Sequence, residues 1–513
     1  MMSHMPRRIS TFLQVRHFKE ISRGKKTKGK TKLSYGKHKD DPTEIALKHF
    51  DQNYRPLFGD QWPSIRLALL SMQSSGALLN NYSDVQETVD RLHSIGVEDF
   101  VQPHAGDVKR LRIKRETKPG RLRGGVEDTP EDAPEDAPEN GNGAVEESIS
   151  NPGSTGLDDL EVARKLQERE MLVRARDEDE LEEGGDFGMG ELEVRESRQP
   201  TKPWWDGRYI VATGYEHRMD LVQQLELEER GHSELVSEPS GANPIKVMDA
   251  DLEISPHLRC FMNKSSFKRL PQAKRGSEEP NLQYYIMDPA SVLPVLAMDV
   301  RTDDVVLDLC AGPGGKSVAI LQTMLISTLT ANEKVLSRKR RLQEVLGLCL
   351  PRSIRTSGAI RVSGLDGCEW GQIEPMAYDK VLVDVPCSTD RVSATQADNN
   401  LFKVSRSRER WDLPELQTDL LCAGLQAVKP GGTVVYSTCT MSPLQNDGVV
   451  QNAITRCQEE FNISTSVADL SPLARAYRDV FSFFPNCRYG QLVVPRISAN
   501  YGPMYFSRLI RTR

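Results

Sequence analysis

Two short segments, Val383-Asp384-Val385-Pro386-Cys387 and Tyr436-Ser437-Thr438-Cys439, each run out of a β-rich stretch into a cysteine. Both follow the Gly-rich turn Asp308-Leu309-Cys310-Ala311-Gly312-Pro313-Gly314-Gly315-Lys316. This trio restricts the fold strongly. A Gly turn directly after a strand is where an open α/β sheet receives a nucleotide-like ligand, outside the carboxyl ends of its strands. A cysteine at the end of a later strand points into the same crevice, where a thiolate can act as a nucleophile. The combination suggests covalent chemistry beside a bound cofactor.

The surrounding pattern agrees. Residues 245–513 carry short β-rich runs at 305–309, 360–363, 380–385 and 433–437, with helical stretches such as 414–428 between them. Strands alternating with helices predict an α/β domain built on a parallel, doubly wound sheet. Lys429-Pro430-Gly431-Gly432 reads as a helix stop feeding the last of these strands.

Outside that domain the chain changes character. Only 38% of its 513 residues are hydrophobic, and its mean hydropathy is −0.50, which predicts a large share of chain outside any core. Residues 1–39 hold twelve Lys/Arg and one acid, a net of +11, whereas residues 126–196 net −18. The overall charge of −6 therefore leaves the remainder at +1, and does not exclude a nucleic-acid partner. The first 19 residues contain no acid and set Arg7, Arg8, Arg16 and Lys19 among apolar residues. Residues 1–40 thus read as a mitochondrial targeting segment, or as a basic arm that touches RNA.

Residues 44–104 predict a small helical region, with a helix starting near Pro63 and another near Asp84 to Ile95. Residues 105–200 contain an acidic Pro repeat at 129–138 and predict a disordered insertion. That insertion is either a solvated linker or an acidic surface competing with RNA for basic patches. No apolar run is long enough to span a membrane. The nine cysteines, all between Cys260 and Cys487, form no CxxC pair, which argues against a zinc site and for a reducing compartment. Cys310, Cys349, Cys422 and Cys457 are expected to be inert core.

The Gly turn is neither of the two commonest phosphate-binding patterns. A P-loop needs glycine where Cys310 stands, and a dinucleotide fingerprint needs one where Ser317 stands. What remains is a turn that brings Gly314, Gly315 and the following backbone against a small ligand. An acid after the second strand would then reach a ribose, and Glu333 is spaced for it. Asp366-Gly367 follows the third strand, where the ligand's base would lie; as a dipeptide alone it is an ordinary turn. Asp384 ends an apolar strand and either caps the next segment or bonds a substrate base. Cys439 precedes Ser442-Pro443, a helix-start signal, and a thiol near a helix N-terminus is expected to have a lowered pKa.

Together these motifs resemble the NOL/NOP/Sun family of RNA cytosine-5 methyltransferases, over about residues 44–102 and 245–513. Within it the chain looks most like the branch acting on mitochondrial small-subunit ribosomal RNA. Segments carrying that match include Phe58-Gly59-Asp60 through Arg66, Tyr284 to Asp288, Asp390-Arg391 and Gly502-Pro503-Met504-Tyr505-Phe506. The resemblance implies a class I, Rossmann-like methyltransferase sheet using S-adenosylmethionine and no metal. It implies cofactor contacts at Gly314, Gly315, Lys316, Glu333 (where the family usually has Asp), Arg338, Asp366, Gly367 and Asp384. It implies Cys439 as the thiolate that adds to cytosine, Cys387 as an aid to its release, and Asp384 at the base edge. The Pro-Cys thiol is the nucleophile in DNA cytosine methyltransferases, so the swapped assignment stands as a rival. A mitochondrial matrix location, a role in mitochondrial ribosome assembly and a helical partner of the transcription-termination-factor type are also implied. Phosphate contacts are expected from Lys264, Lys268, Arg269, Lys274 and Arg275, or from Arg406, Arg408 and Arg410. A reading of another class is an RNA-binding ribosome-assembly factor whose catalysis is secondary.

Overall fold

Val381-Leu382-Val383 is apolar on both alternating faces, and such a strand belongs in the middle of a parallel sheet covered on both sides. The computed structural model, which describes residues 41–104, 106, 245–249, 252–263, 270–276 and 280–513, places it there. The basic arm at 1–40 and nearly all of the acidic insertion lie outside the described residues, as do Lys264, Lys268 and Arg269. Residues Asp41–Arg513 form one unit.

In chain order the strands are β1 (Gly76–Leu79), β2 (Val97–Asp99), β3 (Val247–Asp249), β4 (Cys260–Asn263), β5 (Tyr284–Met287), β6 (Val305–Asp308) and β7 (Thr328–Asn332). There follow β8 (Ile360–Ser363), β9 (Tyr378–Asp384), β10 (Val428–Thr438), β11 (Thr465–Asp469), β12 (Phe483–Phe484), β13 (Gln491–Val493) and β14 (Met504–Arg511). The larger sheet runs β8-β7-β6-β9-β10 with every pair parallel. β14 then joins β10 antiparallel, and its far edge pairs with β11 near one end and β13 near the other. This is the doubly wound methyltransferase sheet expected above. The chain leaves β6 toward β7 and β8, then crosses back to β9 and β10. A crevice therefore opens at the carboxyl ends of β6 and β9.

Alternation along the central strands divides the core. Val381, Val383, Val434 and Tyr436 face one apolar cluster, whereas Leu382 and Val435 face the other. The helix Ser407–Ala427 packs so closely on the first face that a Cβ on Gly424 would come 2.7 Å from Val383 Cγ2. The helices Leu293–Met298, Gly315–Leu321 and Leu336–Cys349 cover the second. The helix Ser407–Ala427 begins seven residues before the expected start at Pro414. Burial of Leu413 and the stacking of Arg410 over Phe402, 4.6 Å from the ring centroid, support that first stretch despite the proline within it. β10 likewise begins five residues early, at Val428, and its register is irregular up to Thr433 across Lys429-Pro430-Gly431-Gly432.

Residues 44–104 contain the expected helices, Trp62–Leu70 and Val85–Ser94, after a first helix Pro42–Phe58 capped by Asp41. They also contribute two strands. β1 lies between β4 and β5 in a second, antiparallel sheet of order β2-β4-β1-β5, so this stretch and the residues after 245 complete one another. Short strands such as Gly76–Leu79 have no periodicity of their own and form only against partners distant in sequence. On the first helix, Phe50, Tyr54 and Phe58 recur at i, i+4 spacing and continue to Trp62. Phe50 packs on Phe402 and Phe58 on Phe484, with ring centroids 5.4 and 4.9 Å apart.

Asn80 ties the smaller sheet to the ends of helices Gly315–Leu321 and Leu336–Cys349. Its buried amide donates to the Leu282 and Cys349 carbonyls at 2.7 Å each, and its oxygen accepts from Gln322 at 3.1 Å. Asn80→Ala leaves these buried partners unsatisfied, and should cost about 2–3 kcal/mol of stability. A denaturant melt with an unchanged midpoint would show that the amide does not tie the smaller sheet to those helices.

Candidate active site

Sheet register sets the site. Asp308, last in β6, lies opposite Leu382 of β9, so Asp384 extends two residues further into the crevice. Ser437 of β10 lies opposite Asp384 on the other side. Its hydroxyl donates to Asp384 Oδ1 at 2.6 Å, while Lys316 Nζ is 2.8 Å from Oδ2. The carboxylate is held at both oxygens. Burial alone would lower the Lys316 pKa, but the charge and hydrogen bond of Asp384 outweigh it and hold the ammonium above its ordinary value.

The two cysteines meet above this pair. Cys387 Sγ and Cys439 Sγ are 3.2 Å apart, and the Cys439 backbone N–H donates to Cys387 Sγ at 3.4 Å. Both are free thiols. The expected lowering of the Cys439 pKa is not found. The hydrogen bond with Cys387, then burial, then negative charge on Cys387 and Asp384 push the thiol well above its ordinary value, with Lys316 opposing. The signal in Ser442-Pro443 was misleading, because a single 3₁₀ turn follows at Pro443–Gln445 and the next α-helix starts only at Asp447.

The Gly turn lies between two walls. A Cβ on Gly312 would fall 2.3 Å from Glu333 Oε2, and one on Gly315 would fall 3.3 Å from the Tyr285 ring. Gly314 has φ 114°, a conformation that L side chains rarely adopt. Glu333 follows β7, is buried, and accepts from the Val335 N–H at 3.0 Å. Arg338 spans the turn, donating to the Gly312 carbonyl at 2.6 Å and lying 3.3 Å from Glu333. Asp366 follows β8, accepts from Cys368 N and pairs with Lys334 Nζ at 2.7 Å. Burial would raise the Asp366 pKa, but the Lys334 bond and the local N–H hold it below the usual value. Gly367 beside it has no room for a side chain, since a Cβ would come 2.7 Å from Leu420.

All the residues expected at the site therefore gather along the carboxyl edge of β8, β7, β6, β9 and β10. They fit a nucleoside-bearing sulfonium. The turn is narrow at Gly312, Gly314 and Gly315, acids stand after β7 and β8, and Asp308 keeps one buried carboxylate oxygen unpartnered. Among the described residues no group of His, Cys, Asp or Glu could hold a metal.

Other expectations change. Arg406 pairs with Glu409, Arg408 lies 3.7 Å from Asp412, and Arg410 is buried, so these three do not form an open basic patch. Lys274 and Arg275 do stand exposed, near a bridge between Arg275 and Leu282. Cys349, Cys422 and Cys457 are core, but Cys310, in the turn itself, is only partly covered. Sequence reasoning gave no role to Asp308 or Ser437. Burial raises the Asp308 pKa to about 7 although Ser317 donates to it at 2.6 Å. Their position at the ends of β6 and β10 was the available signal.

Protein comparisons agree with this geometry. Residues 295–490 match the 16S rRNA methyltransferase RsmB/F family. The 5-cytosine rRNA methyltransferase NSUN4 of Mus musculus is 36% identical, over 91% of this chain and 89% of its own length. That of Caenorhabditis elegans is 33% identical, over 96% and 97%. A mitochondrial tRNA (cytosine(34)-C(5))-methyltransferase of Mus musculus is 38% identical over 49% of this chain and 70% of its own. The chain belongs to this family, and is an S-adenosylmethionine-dependent RNA cytosine-5 methyltransferase.

Proposed function

We propose that the chain methylates carbon 5 of a cytosine in mitochondrial small-subunit ribosomal RNA, through a covalent adduct on Cys439 that Cys387 helps to release. The observation that carries this reading is the 3.2 Å contact between the two thiols, beside a carboxylate held by Lys316 and Ser437. The names of the NSUN4 relatives support an rRNA substrate, and that of the tRNA methyltransferase supports the mitochondrion. A role in mitochondrial ribosome assembly, a matrix location and a helical transcription-termination-factor-type partner belong to the same proposal.

Cytosine carbon 5 is a weak nucleophile. Cys439, once its proton has passed to a base or to solvent, adds as the thiolate to carbon 6 and places electron density on carbon 5. S-adenosylmethionine supplies the electrophilic methyl group that carbon 5 then takes. Asp384 lies at the base edge near ring nitrogen 3, and a proton shared between the two stabilises the negative charge that develops there during addition. Transfer of the carbon 5 proton to Cys387, acting as its thiolate, or to water re-forms the ring double bond and expels the Cys439 thiolate. Cys387, in contact with the departing sulfur, assists that step. Gly314, Gly315, Lys316, Glu333, Arg338, Asp366 and Gly367 would hold the cofactor, with the two acids available to its ribose and base. Reaching the crevice requires an unstacked base, at a cost of a few kcal/mol, so loops or single strands are favoured.

Cys387→Ala, incubated with cofactor and mitochondrial small-subunit rRNA, should accumulate a denaturation-resistant protein–RNA band that the Cys387→Ala, Cys439→Ala double variant lacks. A band from Cys439→Ala alone would exchange the two roles. Asp384→Asn should lower kcat by about a hundred- to a thousandfold; near-normal turnover would remove Asp384 from the mechanism. Because burial and the Cys387 contact push the Cys439 thiol well above the usual range, its alkylation by iodoacetamide in the free enzyme should still be accelerating at a pH where free cysteine has already reached its plateau. A plateau near neutral pH would contradict the field described for it.

A further inference from the structure

Asp390 is fully buried, and both of its oxygens are engaged. Oδ1 accepts from Ser388 Oγ at 2.8 Å and Thr440 Oγ1 at 2.9 Å. Oδ2 accepts from the Met441 N–H and the Tyr54 hydroxyl, both at 2.8 Å. Ser388 directly follows Cys387; Thr440 and Met441 directly follow Cys439. One carboxylate thus joins the two loops that carry the thiols, just beyond the point where the paired strands end.

Backbone pairing does little there. The β9–β10 ladder stops at Asp384 and Ser437, followed only by a 3.2 Å bond from Val385 N–H to the Ser437 carbonyl. Beyond it the loops are held by side chains, to which Gln445 adds bonds with the Ser388 backbone N–H and hydroxyl. The fourth donor to Asp390 comes from far away, since Tyr54 lies on the first helix, Pro42–Phe58. The neighbouring Arg391 secures the second helix, donating to the Ala68 carbonyl at 3.0 Å and also to Asn500 and the Gly502 carbonyl. Asp390-Arg391 therefore faces the thiol loops on one side and the N-terminal helices on the other.

We infer that Asp390 is a positioning residue that holds the Cys387 and Cys439 loops at thiol-contact spacing, and that Tyr54 makes this spacing depend on the N-terminal helix. Asp390 makes no bond to either sulfur and takes no part in proton transfer. Its contribution is geometric, and a misplacement of about 1 Å in such a constellation costs on the order of a hundredfold in rate. The four partners are all donors, which suits a carboxylate and not an amide. In Asp390→Asn the Ser388 and Thr440 hydroxyls can turn to accept from the amide, so the fold survives while the clamp loosens.

The inference rests on the two-thiol chemistry proposed above, so the test includes a readout that needs no RNA. Full-length wild type, Asp390→Asn and Tyr54→Phe are treated with diamide, which takes up the two thiol hydrogens as the disulfide forms. The rate of Cys387–Cys439 disulfide formation is followed by mass spectrometry, alongside cofactor affinity, melting temperature, kcat and KM for RNA. Asp390→Asn should slow both oxidation and kcat by roughly ten- to a hundredfold, and Tyr54→Phe by several-fold, with cofactor affinity and KM little changed. Variants that melt earlier yet oxidise and turn over like wild type would reduce Asp390 to a structural strut and overturn the inference. Should Asp390→Asn fail to fold, Tyr54→Phe decides by the same two rates. Slowed oxidation in variants of an enzyme whose wild type methylates none of the RNAs tried would uphold the positioning and refute the substrate reading.

Discussion

Strand β9 is buried on both faces and hydrogen-bonded on both edges, and the site depends on that confinement. Val381, Leu382 and Val383 have no exposed surface, and each contributes about 1.5–3 kcal/mol on burial. A one-residue slip would exchange Leu382 with Val381 and Val383 between two closely packed apolar faces and take Asp384 away from Ser437, so the register is held by the fit of both faces. Fixing β9 against β6 and β10 places Asp384 beside Ser437, two residues beyond Asp308, with Lys316 reaching it from the opposing turn.

Charge follows from this packing. Asp308, Glu333 and Asp384 surround a crevice in which Lys316 and Arg338 are the nearest cations. Burial in such a field favours neutral forms, which is why Asp308 titrates near 7, and it adds to the Cys387 hydrogen bond that pushes Cys439 upward. Lys316 acts in the other direction on both groups. It is also the group that holds Asp384 in place, so one ammonium orients the carboxylate and moderates the thiol.

Much of this was legible beforehand, for identifiable reasons. The strand after 305, the turn through Lys316 and the apolar run before Asp384 are local signals, since each depends on residues within a few positions of one another. Cys387 and Cys439 were legible as a pair because both end strands of one sheet. The second sheet was not legible, because Gly76–Leu79 is a strand only between Cys260–Asn263 and Tyr284–Met287. The early start of the helix Ser407–Ala427 was hidden by Pro414, whose local cost is outweighed by packing at Leu413 and Arg410. The Cys439 shift was misjudged because the capping signal is local, whereas the thiol responds to Cys387, 52 residues away.

The sequence by itself determined the reaction class, through a Gly turn and two strand-end cysteines whose residue types are those the chemistry needs. It determined the alternation of strands and helices as well, because hydrophobic runs and turn residues act over short range. The tertiary structure alone decided that the thiols touch, that Arg410 is buried against Phe402, and that Tyr54 reaches Asp390 across 336 residues. Hydrogen bonds and charge interactions act over a few ångströms of space, regardless of separation along the chain, and only the folded packing brings those partners within range.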